Sequence, residues 1–189
     1  MGANLVTKAE YKAYAGISSI NQDAIIDSLI PAVSAFVKAI CRRTFVDYVN
    51  DPKVEYFKES GDTYIPLESP ILAVSELGVS TDYGSTYTPL TAFTDYVWDR
   101  QYDTIRSIGA DFNGLINGYM LSYTAGYAEL PVDLKLAIFD LVTYYMKNDS
   151  AVHSNKAPGT NTVQVEYITT TGLPAHIRRV LDLYTHSYA

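Results

Sequence analysis

Residues 119–145, YMLSYTAGYAELPVDLKLAIFDLVTYY, constrain the fold more than any other stretch of this chain. Tyr119, Leu121 and Tyr123 alternate with Met120, Ser122 and Thr124, which is the two-residue period of a strand with one buried face. Gly126 then allows the positive φ that a sharp exit from a strand requires. Pro131 suits a first helical position, where its missing N–H leaves nothing unpaired. Asp133 follows in the first turn, where a negative charge meets the helix dipole favourably. Leu134, Ile138, Leu141 and Tyr145 fall on one face at helical spacing. A strand, a glycine turn and an amphipathic helix are therefore expected in immediate succession.

Two further helices are expected at the N-terminus. Thr7-Lys8-Ala9-Glu10 is a capping-box pattern, so a short helix starts there and stops before Gly16. Asn21 reads as the cap of a second, longer helix. Asp23 and Asp27 stand near its start, and Lys38, Arg42 and Arg43 near its end, an order that complements the helix dipole. Ile26, Ile30, Val33, Val37 and Ile40 make an apolar stripe, which Ile25, Leu29 and Phe36 widen, so burial against more than one partner is expected. Pro31 removes one internal hydrogen bond, which predicts a kinked axis or a break after Leu29. Cys41 ends this helix and reads as a small core side chain.

Between residues 44 and 118 the period switches to that of strands. Short β-like runs include Val54-Glu55-Tyr56-Phe57, Tyr64-Ile65-Pro66-Leu67, Ile71-Leu72-Ala73-Val74, Tyr96-Val97-Trp98 and Thr104-Ile105-Arg106. Turn signals separate them: Asn50-Asp51-Pro52, Ser60-Gly61-Asp62, Asp82-Tyr83-Gly84-Ser85 and Asn113-Gly114. Residues 80–88 read as a hairpin tip or mobile loop, and residues 148–161 as a second loop. Val163, Val165 and Tyr167 alternate with Gln164 and Glu166 as a strand or extended arm. A last helix starts near Pro174 with Ile177, Val180, Leu181 and Tyr184 on its apolar face. The fold class is α+β: a mainly α-helical core of three to four helices with a β-rich insertion of short antiparallel strands and hairpins. The reading is one domain over 1–189, with N-terminal helices at 7–43, the β-rich insertion at 44–118, strand plus core helix at 119–147, loop and extended arm at 148–172, and the C-terminal helix at 173–189.

This order of elements resembles the head-tail connector (adaptor, or head-completion) proteins of tailed bacteriophages. In that family a strand ending in a YTAGY-like turn, then P-x-D-L, leads into a helix packed on two N-terminal helices. The matching residues here are 123–127 and Pro131, Asp133 and Leu134. Leu5-Val6-Thr7, Glu10-Tyr11, Tyr14 and Gly16-Ile17 resemble the family's opening helix, and residues 25–45 its second helix. The ending Cys41-Arg42-Arg43-Thr44-Phe45 departs from the family's usual glycine, since Arg42 stands in its place. The resemblance is carried by residues 1–45 and 119–146.

The resemblance implies a structural virion protein of the phage neck. It implies a homo-oligomeric, dodecameric ring under the portal protein that extends the DNA channel and joins the filled head to a stopper or tail protein. It implies the host cytoplasm during assembly and the virion afterwards. It also suggests the C-terminal segment as the portal-binding element, with Leu183, Tyr184 and Tyr188 as anchors and Arg178 and Arg179 as charged contacts. Arg42, Arg43, Tyr83 and Trp98 are the candidate ring-interface residues. The two arginine doublets read equally as helix-end charges or as ion-pair contacts across subunits. A stopper or tail-completion protein is the neighbouring alternative.

Composition bears on the other function classes. The chain has a formal net charge of −7, so its overall field does not grip DNA, and DNA is expected to pass without sequence-specific binding. One cysteine excludes an intrachain disulfide. The opening residues lack the apolar core of a secretory signal. No apolar run approaches about 18 residues, so no membrane span is expected. His153, His176 and His186 lack ligand-spaced partners, and no phosphate-binding, nucleophile-elbow or dinucleotide motif is present, so no catalytic residue, metal or cofactor is expected. Glu55, Glu59, Asp62 and Glu68 read as a solvated sheet face, with paired acids for a small hydrolase as the weaker reading. Seventeen tyrosines and the single Trp98 suit subunit interfaces, and they leave a carbohydrate- or receptor-binding module as the alternative from another class.

Overall fold

This computed structural model describes residues 2–147, 153–156, 163–166 and 173–185. The chain divides into two compact units, one comprising Met1–Ala3 and Arg43–Leu130, the other Asn4–Arg42 and Pro131–Ala189. The described elements make an α+β fold of four helices and several antiparallel sheets of short strands.

The helical unit contains α1 (Lys8–Ala15), α2 (Asp23–Cys41), α3 (Val132–Lys147) and α4 (Ala175–Tyr184). The capping box of α1 forms as expected: the Glu10 N–H donates to Thr7 Oγ1 at 3.2 Å, and the Thr7 N–H donates to Glu10 Oε2 at 2.8 Å. Gly16 closes the helix in the left-handed region at φ 67. Lys135 of α3 reaches Glu10 Oε1 at 2.7 Å, and this contact, with the Thr7 N–H, holds the Glu10 carboxyl down to about 2.

α2 departs from its sequence reading in three ways. Its N-cap is Gln22, without a side-chain cap hydrogen bond, while the Asn21 N–H donates to Ser19 Oγ instead. Pro31 does not split the element, which is assigned as helix from Asp23 to Cys41. Ile30 and Val33, buried on either side of Pro31, hold the flanking turns in the core, while the proline ring lies on the exposed side. Lastly, α2 is long and apolar enough to cross a membrane by length and composition, which the sequence reading had discounted. In the structure Ile26, Ile30, Val33, Val37 and Cys41 instead form a buried core face, with the Cys41 thiol 3.6 Å from the Leu181 carbonyl oxygen. Arg42 follows in the left-handed region at φ 54, the position where the family pattern has glycine.

α3 begins one residue later than expected: Pro131 is outside it, and its carbonyl accepts from the Lys135 N–H. Leu134, Ala137, Ile138, Phe139, Leu141 and Val142 are buried. Tyr145, expected on this face, is 39% exposed. α4 contributes Ile177 and Leu181 to the core, and Val180 is half-buried.

The β unit contains β1 (Lys53–Phe57), β2 (Ser60–Gly61), β3 (Thr63–Tyr64), β4 (Ile71–Val79), β5 (Thr88–Pro89), β6 (Tyr96–Asp99), β7 (Thr104–Ser107), β8 (Phe112–Asn113) and β9 (Tyr119–Ala125). β9 is the expected strand: Tyr119, Leu121, Tyr123 and Ala125 are buried and the alternate residues half-buried. It lies inside a sheet of order β1-β9-β4-β5, paired antiparallel to β1 and β4. A second sheet has the order β3-β7-β6, and β2 pairs with β8. The core gathers Phe57, Leu77, Ile105, Phe112, Tyr119 and Leu121. Its rings pack closely, with Phe57 stacked on Tyr64 at 3.6 Å and edge-on to Phe112 at 5.6 Å.

Beyond the β unit, β10 (His153–Lys156) pairs antiparallel with β11 (Val163–Glu166). The segment 148–161, read as a loop, thus contains a strand. The remaining residues of that loop lie outside the described residues, as do Tyr167 and Tyr188.

Where β9 ends, three successive amides are captured by two segments, the α2–β1 connection and the stretch before β4. Ala125 N–H donates to Tyr48 O at 3.0 Å, Gly126 N–H to Pro70 O at 2.8 Å, and Tyr127 N–H to Phe45 O at 2.7 Å. Gly126 has φ 108, and a Cβ there would collide with the Phe45 carbonyl. Gly126→Ala is therefore expected to cost more than about 3 kcal/mol, since both the backbone angle and the close approach forbid a side chain. Chemical denaturation of the variant measures this, and a loss below about 1 kcal/mol contradicts it.

The ion pair of Glu10 makes a pH-dependent prediction. Because its carboxyl is depressed from 4.5 to about 2 in the fold, its stabilisation is present above pH 4.5 and lost as the pH falls toward 2. Glu10→Gln keeps the capping geometry but removes the charge. Given the exposure of the pair, the variant is expected to lose only about 0.5 kcal/mol at pH 7, and the gap to the parent closes by about pH 2. Urea titrations across that range check the trend.

Candidate assembly surfaces

Of the four acids expected on a solvated sheet face, Asp62 is exposed and Glu59 half-buried, but Glu55 and Glu68 are buried. Alternation on β1 turns Lys53, Glu55 and Phe57 to the same side, and Glu55 and Glu68 are each only 5% exposed. Tyr123 Oη donates to Glu55 Oε1 at 2.7 Å, and Tyr64 Oη donates to Glu55 Oε2 at 2.8 Å. Lys53 Nζ lies 2.8 Å from Glu55 and 3.5 Å from Glu68. The Glu68 N–H donates to Tyr123 Oη at 3.0 Å, and the Thr44 N–H donates to Glu68 Oε2 at 3.0 Å. Burial, followed by the hydrogen bond to Glu55, pushes the Tyr123 phenol far above its ordinary value, so it remains a donor. The network ties up Glu55 and Glu68, two of the four acids considered for a hydrolase, and it links β1, β3, β9 and the 65–68 segment. The i, i+2 spacing of Lys53 and Glu55 was the available sequence signal. Glu68 gave none, because its partners are distant in sequence.

Residues 80–88 form the turn between β4 and β5, closed by its own hydrogen bonds. Asp82 accepts from Ser80 Oγ at 2.7 Å, the Thr86 N–H at 2.9 Å and Thr86 Oγ1 at 2.7 Å. These contacts, Ser80 first, hold its carboxyl down to about 2. Ser80 is buried, and its hydroxyl also accepts from the Gly84 N–H at 2.8 Å. Tyr83, at φ 59 and 68% exposed, is therefore presented by a closed turn rather than by an open loop.

Of the other ring-interface candidates, Trp98 lies on β6, half-buried, with the Arg100 guanidinium 4.8 Å from its ring centre. That covers part of the face a sugar would stack on, which disfavours the glycan-binding reading. A groove of about 410 Å³ runs beside it, lined by Leu72, Val74, Tyr96, Val97 and Phe93 among others. Phe93, 83% exposed at φ 64, is an aromatic contact that sequence reasoning missed. Its signal was faint: an apolar residue inside the polar run Thr91–Asp95, where the Thr91 N–H donates to Asp95 Oδ2 at 2.7 Å. Arg42 is exposed at the end of α2. Arg43 is half-buried in the β unit, its Nη1 at 3.5 Å from the Ser69 carbonyl oxygen.

The portal-binding candidates share one element. With Ile177 and Leu181 turned inward, Arg178, Arg179 and Leu183 are exposed on α4, Leu183 at 76%. Tyr184 is half-buried, and its hydroxyl donates to Asp133 Oδ1 at 2.7 Å. Tyr188 lies outside the described residues. Among the described residues no group of three or more His, Cys, Asp or Glu side chains is placed to hold a metal ion.

In chain order the β unit falls between α2 and α3, two helices of the other unit. The family model for head completion proteins matches residues 4–186. The chain belongs to the head completion protein family. Its fold is similar to chains in the neck of an empty gene transfer agent (GTA) particle computed with C6 symmetry, at 18% identity and TM-score 0.64, covering 98% of this chain and 91% of that one. It is also similar to chains in the neck of the native GTA particle computed with C12 symmetry, at 19% identity and TM-score 0.61, covering 100% and 97%. The virion of the native GTA particle contains a chain of 18% identity and TM-score 0.63, with coverage of 98% and 91%. No curated protein matches the chain.

Replacing Lys53 by Met would strand two buried carboxylates without their cation. The expected cost is about 3–5 kcal/mol at pH 7, and Tyr123→Phe is expected to cost about 1–3 kcal/mol, because the Glu68 N–H loses its acceptor and Glu55 Oε1 keeps Lys53 but loses a donor. Guanidinium unfolding of both variants checks the order of the two losses.

Proposed function

We propose that this chain forms a closed ring docked beneath the portal, continuing the DNA channel and presenting its far side to a stopper or tail protein. Membership of the head completion family and the symmetric necks in which this fold occurs support a ring. A ring of identical subunits needs a head-to-tail contact that closes on itself. The net charge of −7 suits a channel that DNA slides through without being gripped. Its role in this reading is mechanical, with no reaction catalysed.

The observation that carries the portal contact is the division of α4 into two faces. Ile177 and Leu181 hold the helix in the bundle, which leaves Arg178, Arg179 and Leu183 exposed as a contact. Tyr184 is a weaker anchor, since its hydroxyl is taken up by Asp133. Arg42, Tyr83 and Trp98 remain candidates for contacts between subunits. Arg43 belongs to this set only if its guanidinium leaves the Ser69 carbonyl.

Deleting residues 173–189 would also remove Ile177 and Leu181 from the core, so point substitutions are the cleaner test. Arg178→Glu, Arg179→Glu and Leu183→Asp together are expected to leave the fold intact and weaken portal binding at least tenfold. Binding of the triple variant to purified portal within twofold of the parent overturns the α4 assignment.

A further inference from the structure

α2 has two apolar faces, and the helical unit buries only one. Ile26, Ile30, Val33, Val37 and Cys41 are at most 3% exposed. On another side of the same helix, Ile25, Ala32, Phe36 and Ala39 fall at i, i+7, i+11 and i+14, a single stripe, and all four are exposed. Ile25 is 45% exposed and Phe36 36%. The only charged residues of α2 are Asp23, Asp27 and Lys38, and none falls on this stripe. Asp23 and Asp27 instead pair with Lys12 and Lys8 of α1, at 2.5 and 2.8 Å. An uncharged stripe of small residues flanking large apolar ones, left in water on a chain of net charge −7, is a packing surface without its partner.

The same unit carries a second, unlike patch. α1 and α3 leave a groove of about 690 Å³ whose walls include Tyr14, Ala15, Ile17, Thr143 and Met146, with Asp140 at its side. No residue of the α2 stripe lines it. Its wall is held in place: the Tyr14 hydroxyl donates to Asp140 Oδ1 at 2.7 Å, and its ring stacks on Phe139 at 5.0 Å. A ring seam is heterologous, so each subunit must offer two different, complementary patches. A ridge carrying the exposed Phe36, and a groove whose lining mixes Tyr14, Ile17 and Met146 with Gln22, Asp140 and Lys147, are two unlike patches within one unit.

We propose that the uncharged α2 stripe of one copy seats in the α1–α3 groove of the next, with Phe36 as the inserted side chain, and that this contact is the seam of the ring. The inference rests on the ring reading above and adds the surfaces that close it.

Two measurements on the full chain test it. In the first, the parent and Phe36→Asp are compared by light scattering and negative-stain imaging, alone and with portal, with circular dichroism reporting the fold of each. The parent is expected to form rings, and the variant to remain monomeric while folded. In the second, Ala32→Cys and Ala15→Cys are made as separate proteins and mixed under mild oxidation. Cys41, the one native thiol, is wholly buried and does not compete. The mixture is expected to give at least tenfold more disulfide-linked dimer than either protein alone, and this readout decides the matter if Phe36→Asp fails to fold. A parent that forms no ring with portal overturns the ring reading and the seam together. A parent that rings while folded Phe36→Asp also rings and the mixture does not cross-link overturns the seam alone. Dimers formed by Ala32→Cys with itself overturn the head-to-tail pairing.

Discussion

The β unit depends on one crowded turn. Where β9 ends, the amides of Ala125, Gly126 and Tyr127 are taken by the carbonyls of Tyr48, Pro70 and Phe45, which come from two segments distant from it in sequence. Such convergence brings the backbone so close to Phe45 that no side chain fits at Gly126. A buried amide without an acceptor costs about as much as a lost hydrogen bond, so the three captures hold two loops against the end of β9. β9 in turn is the strand on which β1 and β4 both pair.

Beside that turn the core is not purely apolar. Lys53, Glu55, Glu68, Tyr64 and Tyr123 form a buried polar network in which each carboxylate has a cation and donors. Such a network is a weak source of net stability, yet it penalises every alternative arrangement, because any other register of β1 against β9 strands a charge. The helical unit follows a different logic, since α2 is built to bury one face within the subunit and keeps another apolar face exposed.

Much of this was legible in local pattern. The capping box at Thr7, the alternation of β9 and the glycine at 126 each reflect constraints acting within a few residues, and the structure shows all three. The expectations that the structure changed depend on distant partners. Asn21 has the right chemistry for a cap, yet the chain path gives that position to Gln22. Pro31 removes a hydrogen bond without breaking α2, because burial of its neighbours outweighs the local defect. Glu55 and Glu68 look solvated in sequence because strand acids usually are.

The sequence by itself determined the element types, the order that marks the head completion family, and the absence of local catalytic motifs, since periodicity, caps and turn residues act over short range. Only the tertiary structure decided which side of each element is spent. It buried Glu55 and Glu68, closed the turn around Asp82, turned Arg178, Arg179 and Leu183 outward, and left one apolar face of α2 exposed. The physical reason is that burial and charge pairing are properties of neighbours brought together across dozens of residues. A helix with apolar residues on several sides does not disclose which of them its own subunit will cover.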